Sequence, residues 1–363
     1  MKKIAIYIPS IEGGGVEKNL FYISAYLVKK NIDVSIITAN KNKKKLFNKK
    51  INFISPKSNR WNKSSRIVKT FICLGLLIGK LSLKKTLIFS FQSNISAIIA
   101  SKILRTKIII RLNTSPDKYI NNHIKKIFFK TFYSMSNKII VNSLEFKKNL
   151  NEILQIKSSH VFNPVKKIKN NERLKISFFS NYKGLKIMSI GRLTDQKDQI
   201  TILKSLSILK DKKINFRFFL IGTGYKMKEL NAYIKNYNLT NYIKLVGYKP
   251  DAFNYIKSSD LFILSSKFEG LPNVLIEAQF QGVPIISSNC RTGPKEILLN
   301  GKLGSLFKVG DYISLSKNII SYKKNKKIYL KKAKLASRYL YRFDYKKNLD
   351  NYYNIINRMF KII

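Results

Sequence analysis

"KIAIYIPSIEGGGVEKNLFYISAYLVKKNIDVSIITA", Lys3 to Ala39, is the stretch that decides the fold. An apolar run from Lys3 to Pro9 reads as a strand buried on both faces. Three glycines, Gly13 to Gly15, then break the pattern. From Glu17 to Lys30 apolar residues recur at helical spacing, and Asp33 to Ala39 returns to an apolar, β-branched run. A strand–loop–helix–strand unit of this size opens a parallel, doubly wound sheet. Further strands are predicted at Thr86–Phe91, Lys107–Arg111 and Lys138–Val141, with helical stretches between them.

Beyond Asn163-Pro164 the pattern dissolves into "VKKIKNNERLK", too polar to build a core and read as a hinge over residues 166–183. It then restarts: strand Leu185–Ile190, helix from Gln199, strand Phe216–Ile221, helix Lys226–Tyr237 and strand Ile243–Val246. "DLFILSS" and "VPIISS" supply two more strands. The prediction is therefore α/β, with two tandem Rossmann-like domains over residues 1–165 and 184–343. A helix over 344–363 is expected to pack back on the first domain.

Composition bounds the partners. The 363 residues carry 70 Lys plus Arg against 19 Asp plus Glu, a net charge of +51, yet 45% are hydrophobic. That apolar content belongs to a globular protein, and the charge attracts polyanions such as nucleic acid, anionic lipid or phosphorylated substrates. Two cysteines, Cys73 and Cys290, form neither a disulfide framework nor a metal-ligand spacing, which fits a reducing cytosol. The longest apolar run, Thr70 to Leu83, is interrupted by Lys80 and falls short of the ~20 residues a spanning helix needs.

Several loops carry possible chemistry. In "EGGGVEKN" (Glu12–Asn19), Gly14 and Gly15 would let a ligand approach the backbone at a helix N-terminus. "SIGRLTDQKD" places Arg192 and Lys197 beyond the carboxyl end of a strand, where a guanidinium fork and an ammonium suit phosphate oxygens. "IGTGYKMKEL" offers Gly222 and Gly224 to the same pocket. A plain turn is the other reading of each glycine loop, and a solvated pair the other reading of Arg192 and Lys197. "KFEGLPNVLIEAQFQGVPIIS" (Lys267–Ser287) spends two scarce carboxylates eight positions apart. Gly270, Leu271 and Pro272 would lead into a helix whose first N–H groups point at a phosphate. Glu277 lies one turn in, on the face of Asn273, where a carboxylate can accept two ribose hydroxyls. Glu269, before the turn, would reach the neighbouring sugar.

These residues carry a resemblance. Glu269 and Glu277 match the E-x7-E pattern of the group 1 glycosyltransferases, glycosyltransferase family 4. "EGLPNVLIEAQFQGVPIISS" is similar to that family in type almost throughout. "GRLTDQKD" resembles its donor-phosphate motif, "NPV" its hinge and "GGGVEKN" its N-terminal loop. "CRTGPKEIL" (Cys290–Leu298) is similar to a stretch of members that build bacterial surface polysaccharides. The resemblance implies the GT-B fold, two Rossmann-like domains facing across a cleft, and metal-independent transfer with retention. It implies that Arg192 and Lys197 neutralise the diphosphate leaving group, Glu277 holds the donor ribose, and Glu269 with the backbone near Gly270 and Leu271 holds the sugar. The donor would be a nucleotide diphosphate sugar such as UDP-sugar, a substrate, so no cofactor is called for. The acceptor would be a glycan or a polyprenyl-linked glycan. No D-x-D occurs to hold a cation. One departure stands out: many relatives carry a histidine after the strand equivalent to "KIIIRLNTSP", where this chain has Asn113, Thr114 and Ser115. Its only histidines are His123 and His160.

Two other classes compete. A nucleic-acid-binding protein would explain the charge but not the E-x7-E turn, and no recognition motif is visible. A nucleotide-sugar epimerase of two Rossmann halves would share the architecture without this motif set. Finally, "NRWNKSSRIVKTFICLGLLIGKLSLKK" (Asn59–Lys85) and "HIKKIFFKTFYSMSNK" (His123–Lys138) mix lysines with aromatic and aliphatic residues. Such helices lie in a membrane interface, which predicts a peripheral protein on the anionic cytoplasmic face of the cell membrane. The alternative is core helices with lysine-rich outer faces.

Overall fold

The computed structural model describes residues 2–80, 86–114, 120, 122–166, 178–250 and 252–362. The chain divides into two α/β units, Met1–Pro164 with Tyr345–Ile363, and Val165–Asp344. Most of the hinge expected over 166–183 lies outside the described residues, as do Ser115 and residues 81–85.

The first unit runs β1 (Lys3–Tyr7), α1 (Gly15–Lys29), β2 (Asp33–Ile37), β3 (Asn52–Ile54), α2 (Arg66–Lys80), β4 (Thr86–Ser90) and α3 (Asn94–Ile103). It continues with β5 (Ile108–Leu112), α4 (His123–Ser134), β6 (Lys138–Val141), α5 (Leu144–Leu154) and β7 (Ser159–His160). The second holds β8 (Leu185–Ile190), α6 (Gln199–Asp211), β9 (Phe216–Ile221), α7 (Met227–Asn236), β10 (Ile243–Gly247), α8 (Phe253–Ile256) and β11 (Leu261–Leu264). Then come α9 (Asn273–Phe280), β12 (Ile285–Ser288), α10 (Pro294–Ile297), β13 (Ser305–Phe307), α11 (Tyr312–Lys324) and α12 (Lys326–Ser337). α13 (Tyr345–Phe360) belongs to the first unit.

Each unit is built on a parallel sheet, ordered β3-β2-β1-β4-β5-β6-β7 in the first and β10-β9-β8-β11-β12-β13 in the second. The strand at the middle of each, covered by helices on both faces, is buried on both faces and mostly apolar. β4, "TLIFS", is buried at all five positions and β11, "LFIL", at all four. The edge strands β3, β7 and β13 are short and less apolar, which is why the apolar pattern did not announce them.

α1 buries Leu20, Ile23 and Leu27, the 3- and 4-residue spacing of one helix face, against the sheet. α13 joins this core through Leu349, Tyr352, Ile356 and Met359. A second core on the opposite face takes Cys73 and Leu77 of α2 with Ala97 and Ile98 of α3. Within the first unit the largest fully buried side chain is Arg111 of β5. Its Nε donates to the Tyr352 hydroxyl (2.9 Å), one terminal nitrogen to Asn163 Oδ1 (2.6 Å) and the other to Asn113 Oδ1. The guanidinium ties β5, the Asn163 segment and α13 together.

Candidate active site

The strand order of the second unit reverses between β8 and β11. At such a switch point the loops after the two strands leave in opposite directions and open a crevice at their carboxyl ends. Here those loops are residues 191–198 and 265–272, and they are stitched together. The Lys197 ammonium meets Glu269 Oε1 at 2.5 Å, with side chains 14% and 9% exposed. The Ser266 hydroxyl donates to the same carboxylate oxygen (2.6 Å), so the buried charge has both an ionic and a neutral partner. Gln196 donates to the Phe268 carbonyl (3.1 Å) and its own carbonyl accepts from Lys267 N–H (2.8 Å). Ser265 donates to the Lys197 carbonyl (2.8 Å).

A third loop, after β12, closes on the same place. Thr292 Oγ1 donates to the Glu269 carbonyl (2.5 Å) and Ser288 to the Ser266 carbonyl (2.7 Å). Gly293, at φ +92°, lies so close that a Cβ would fall 2.5 Å from the Gly270 carbonyl and 2.7 Å from the Pro272 ring. Only glycine allows that approach. Cys290 is buried within the electrostatic reach of Glu269 and Lys197, and burial raises its thiol pKa so that it stays neutral.

The residues read from sequence fall as follows. Lys197, Glu269 and Gly270 are brought together directly. Arg192, the second residue of the loop after β8, is exposed, with its guanidinium 3.5 Å from Gln196 Oε1. Leu271, Asn273 and Glu277 are buried. Pro272 is the N-cap of α9 (φ −73°, ψ 104°), directly before its first helical residue Asn273, and its carbonyl accepts from Leu275 N–H. Glu277 therefore sits in the second turn of α9, one turn beyond Asn273.

Gly222 and Gly224 have a reason of their own. A Cβ on Gly222 (φ +145°) would fall 1.9 Å from the Gly191 carbonyl oxygen, and one on Gly224 2.1 Å from the Leu193 carbonyl oxygen. The β9 loop lies backbone to backbone on the β8 loop, joined by Gly191 N–H to Ile221 O and Leu193 N–H to Thr223 O. These glycines shape the turn that carries Arg192.

Gly14 and Gly15 belong to the first unit. Gly14 caps α1, and its N–H donates to Glu17 Oε2 (2.8 Å), while Glu12 N–H reaches Glu17 Oε1 (3.3 Å). The anion at this helix N-terminus is the chain's own buried carboxylate. Gln196, Ser266 and Thr292 escaped the sequence reading: single neutral polar residues carry no periodicity. Thr292 alone left a signal, in the Thr-Gly-Pro turn.

Comparison with known proteins bears on the family and the fold. The profile described as "Glycosyl transferases group 1" matches residues 170–351. An uncharacterized glycosyltransferase of Methanocaldococcus jannaschii is 32% identical over 226 residues, 57% of this chain and 55% of that protein. The N-acetylgalactosamine-N,N'-diacetylbacillosaminyl-diphospho-undecaprenol 4-alpha-N-acetylgalactosaminyltransferase of Campylobacter jejuni is 25% identical, covering 93% of this chain and 95% of its own length. In fold, the chain superposes on the Anabaena protein Alr3699/HepE, solved with UDP and glucose, at a TM-score of 0.81 and 18% identity, covering 99% and 100% of the two chains. With a matching profile over half its length and the two parallel-sheet units of the GT-B architecture, the chain belongs to the group 1 glycosyltransferases.

Proposed function

We propose that this glycosyltransferase moves a hexose or N-acetylhexosamine from a UDP-sugar to a lipid-linked or nascent surface glycan, with retention and without a metal ion. The observation that carries the reading is the Lys197–Glu269 pair at the β8/β11 switch point, followed within eight residues by buried Glu277. A diphosphate leaving group needs cations that do not depend on a bound metal. Lys197 and Arg192 supply them, and the amino end of α9 adds its dipole. Glu277 accepts the ribose hydroxyls, and Glu269, with the backbone at Gly270 and Leu271, receives the sugar. UDP is preferred because the Anabaena protein of the same fold is seen with UDP and glucose. The acceptor class follows the name of the Campylobacter relative, which acts on a diphospho-undecaprenol-linked sugar.

We place the protein peripherally on the cytoplasmic face of the membrane. No helix among the described residues is long and apolar enough to span a bilayer. Yet α2 exposes Ile67 and Phe71, and α4 exposes Ile124, Ile127 and Phe128, among many lysines. Incubating purified protein with a panel of nucleotide sugars and membrane extract, and following nucleotide diphosphate release with and without EDTA, tests the reading. Extract-dependent release of UDP that survives chelation is expected. Release from no donor, or release restored only by added Mg²⁺ or Mn²⁺, would overturn it.

A further inference from the structure

The loop after β8 carries both Arg192 and Lys197, and two neighbouring loops hold it between them. From Gln196 onward it is tied to the loop after β11, where Gln196 donates to the Phe268 carbonyl and Lys197 meets Glu269. Its earlier half lies against the loop after β9 instead. Gly191 N–H donates to the Ile221 carbonyl (3.0 Å), Leu193 N–H to the Thr223 carbonyl (2.9 Å), and Lys226 N–H returns to the Leu193 carbonyl (3.1 Å).

The last rung of this ladder is made of side chains. The Tyr225 hydroxyl accepts from Asp195 N–H (3.1 Å) and donates to Asp195 Oδ2 (2.7 Å), so one phenol closes on both the backbone and the carboxylate of a single residue. Lys226 Nζ takes the other oxygen, Oδ1, at 2.9 Å, and Glu229 Oε2 at 2.6 Å. The hydrogen bond from Tyr225, followed by that from Lys226, holds the Asp195 carboxyl below the usual carboxylate range. Yet Tyr225 is 68% exposed and the Asp195 side chain 62%. Exposed contacts of this kind add little to global stability and restrict side chains that would otherwise be free. Their effect is local: a closed cluster fixes the backbone at Asp195, midway between the two cations of the loop.

We propose that Tyr225 and Asp195 are positioning residues for the donor diphosphate: their clamp holds the β8 loop in the conformation that presents Arg192. The proposal rests on the donor-site reading and adds to it a side chain from the loop after β9. Arg192 is exposed, and the backbone that carries it is what the ladder fixes. A cation that must meet phosphate oxygens works only from the right place, and its supporting contacts set that place. Lys226 has a part as well. A carboxylate between Arg192 and Lys197 would oppose an incoming diphosphate, and the ammonium against its Oδ1 offsets that charge. Gly222 and Gly224 let the two loops touch, and Tyr225, the next residue, turns the touch into a bond.

The test titrates the full chain with UDP by calorimetry, with thermal denaturation beside it. Tyr225→Phe keeps the ring and removes only the hydroxyl. It should weaken UDP binding roughly three- to tenfold, and Asp195→Ala alike, with melting curves unchanged as expected of exposed positions. Asp195→Asn leaves an oxygen for the phenol to donate to and should restore the affinity that Asp195→Ala loses. In an Arg192→Ala background, which retains Lys197, Tyr225→Phe should change affinity less than about twofold, because the clamp then has no guanidinium to present. An equal loss in both backgrounds would give Tyr225 another route to UDP and overturns the proposal. So does affinity within twofold of the parent in Tyr225→Phe, or a loss in Asp195→Asn as large as in Asp195→Ala, which assigns the effect to charge. A parent that binds no UDP overturns the donor reading instead.

Discussion

On the proposed reading Lys197 would face two anions in turn, Glu269 and the donor diphosphate. Without a ligand its charge is met by Glu269, buried beside it at 2.5 Å. Removing one member of such a pair strands the other, a defect worth about 3–5 kcal/mol of stability. Lys197→Ala should therefore lower both kcat and the melting temperature. Arg192 is exposed and leaves no such orphan. Arg192→Ala should lower kcat by roughly 10² or more with an unchanged melting curve. Steady-state kinetics beside thermal denaturation separates the two, and unaltered turnover in both variants would remove the phosphate role. Glu277→Gln keeps the shape of the side chain but loses an anionic acceptor, so UDP-sugar affinity should fall by about 1–3 kcal/mol by calorimetry. Equal affinity would leave Glu277 as a helix residue only.

Among the secondary elements, central strands and the helices that follow them were legible because burial on both faces leaves a continuous apolar run, as in "LFIL" of β11. Arg111 was not. A charged residue inside "IIIRL" reads as a break, and only the folded chain brings Tyr352, Asn163 and Asn113 to its five donors. The E-x7-E turn was legible because carboxylates are rare here, whereas the Gly222 and Gly224 contacts depend on which loop lies beside them. β7, invisible in the sequence pattern, carries a pH effect. His160 stacks edge-on against Phe162 (4.2 Å), and its Nε2 is buried with no hydrogen-bond partner among the described residues. Burial, and then the charge of Lys147, pull its pKa down to about 4. Between about 6.5 and about 4 the unfolded chain binds a proton that the folded chain refuses, so stability is full above this window and falls as pH drops through it. Urea unfolding should show about 1–2 kcal/mol lost between pH 7.5 and pH 5 through this residue. His160→Phe should lose correspondingly less, and an identical loss would place the titration elsewhere.

For the molecule as a whole, net charge and exposed apolar helices act together. If the protein is peripheral as proposed, each lysine near an anionic bilayer would contribute about 1 kcal/mol, and the exposed aliphatic and aromatic side chains of α2 and α4 would add shallow burial. Co-sedimentation with anionic vesicles is expected at low salt and should vanish by about 0.5 M salt, where the Debye length is a few ångströms. Neutral vesicles should not bind. Equal binding to both, or to neither, would leave the charge as a matter of composition.

The return of α13 to the first unit has a consequence for how the protein is made. Leu349, Tyr352, Ile356 and Met359 complete a core whose other members lie before Pro164, and the roughly 180 residues of the second unit are synthesised in between. At 5–20 residues per second a nascent chain waits about 10–40 s with Arg111 lacking its tyrosine acceptor and one flank of the first sheet uncovered. The second unit, contiguous in sequence, waits for no later element and can complete its core without the half made earlier. Through that interval the first half is expected to leave aliphatic surface uncovered, the exposure that makes a folding chain prone to aggregate.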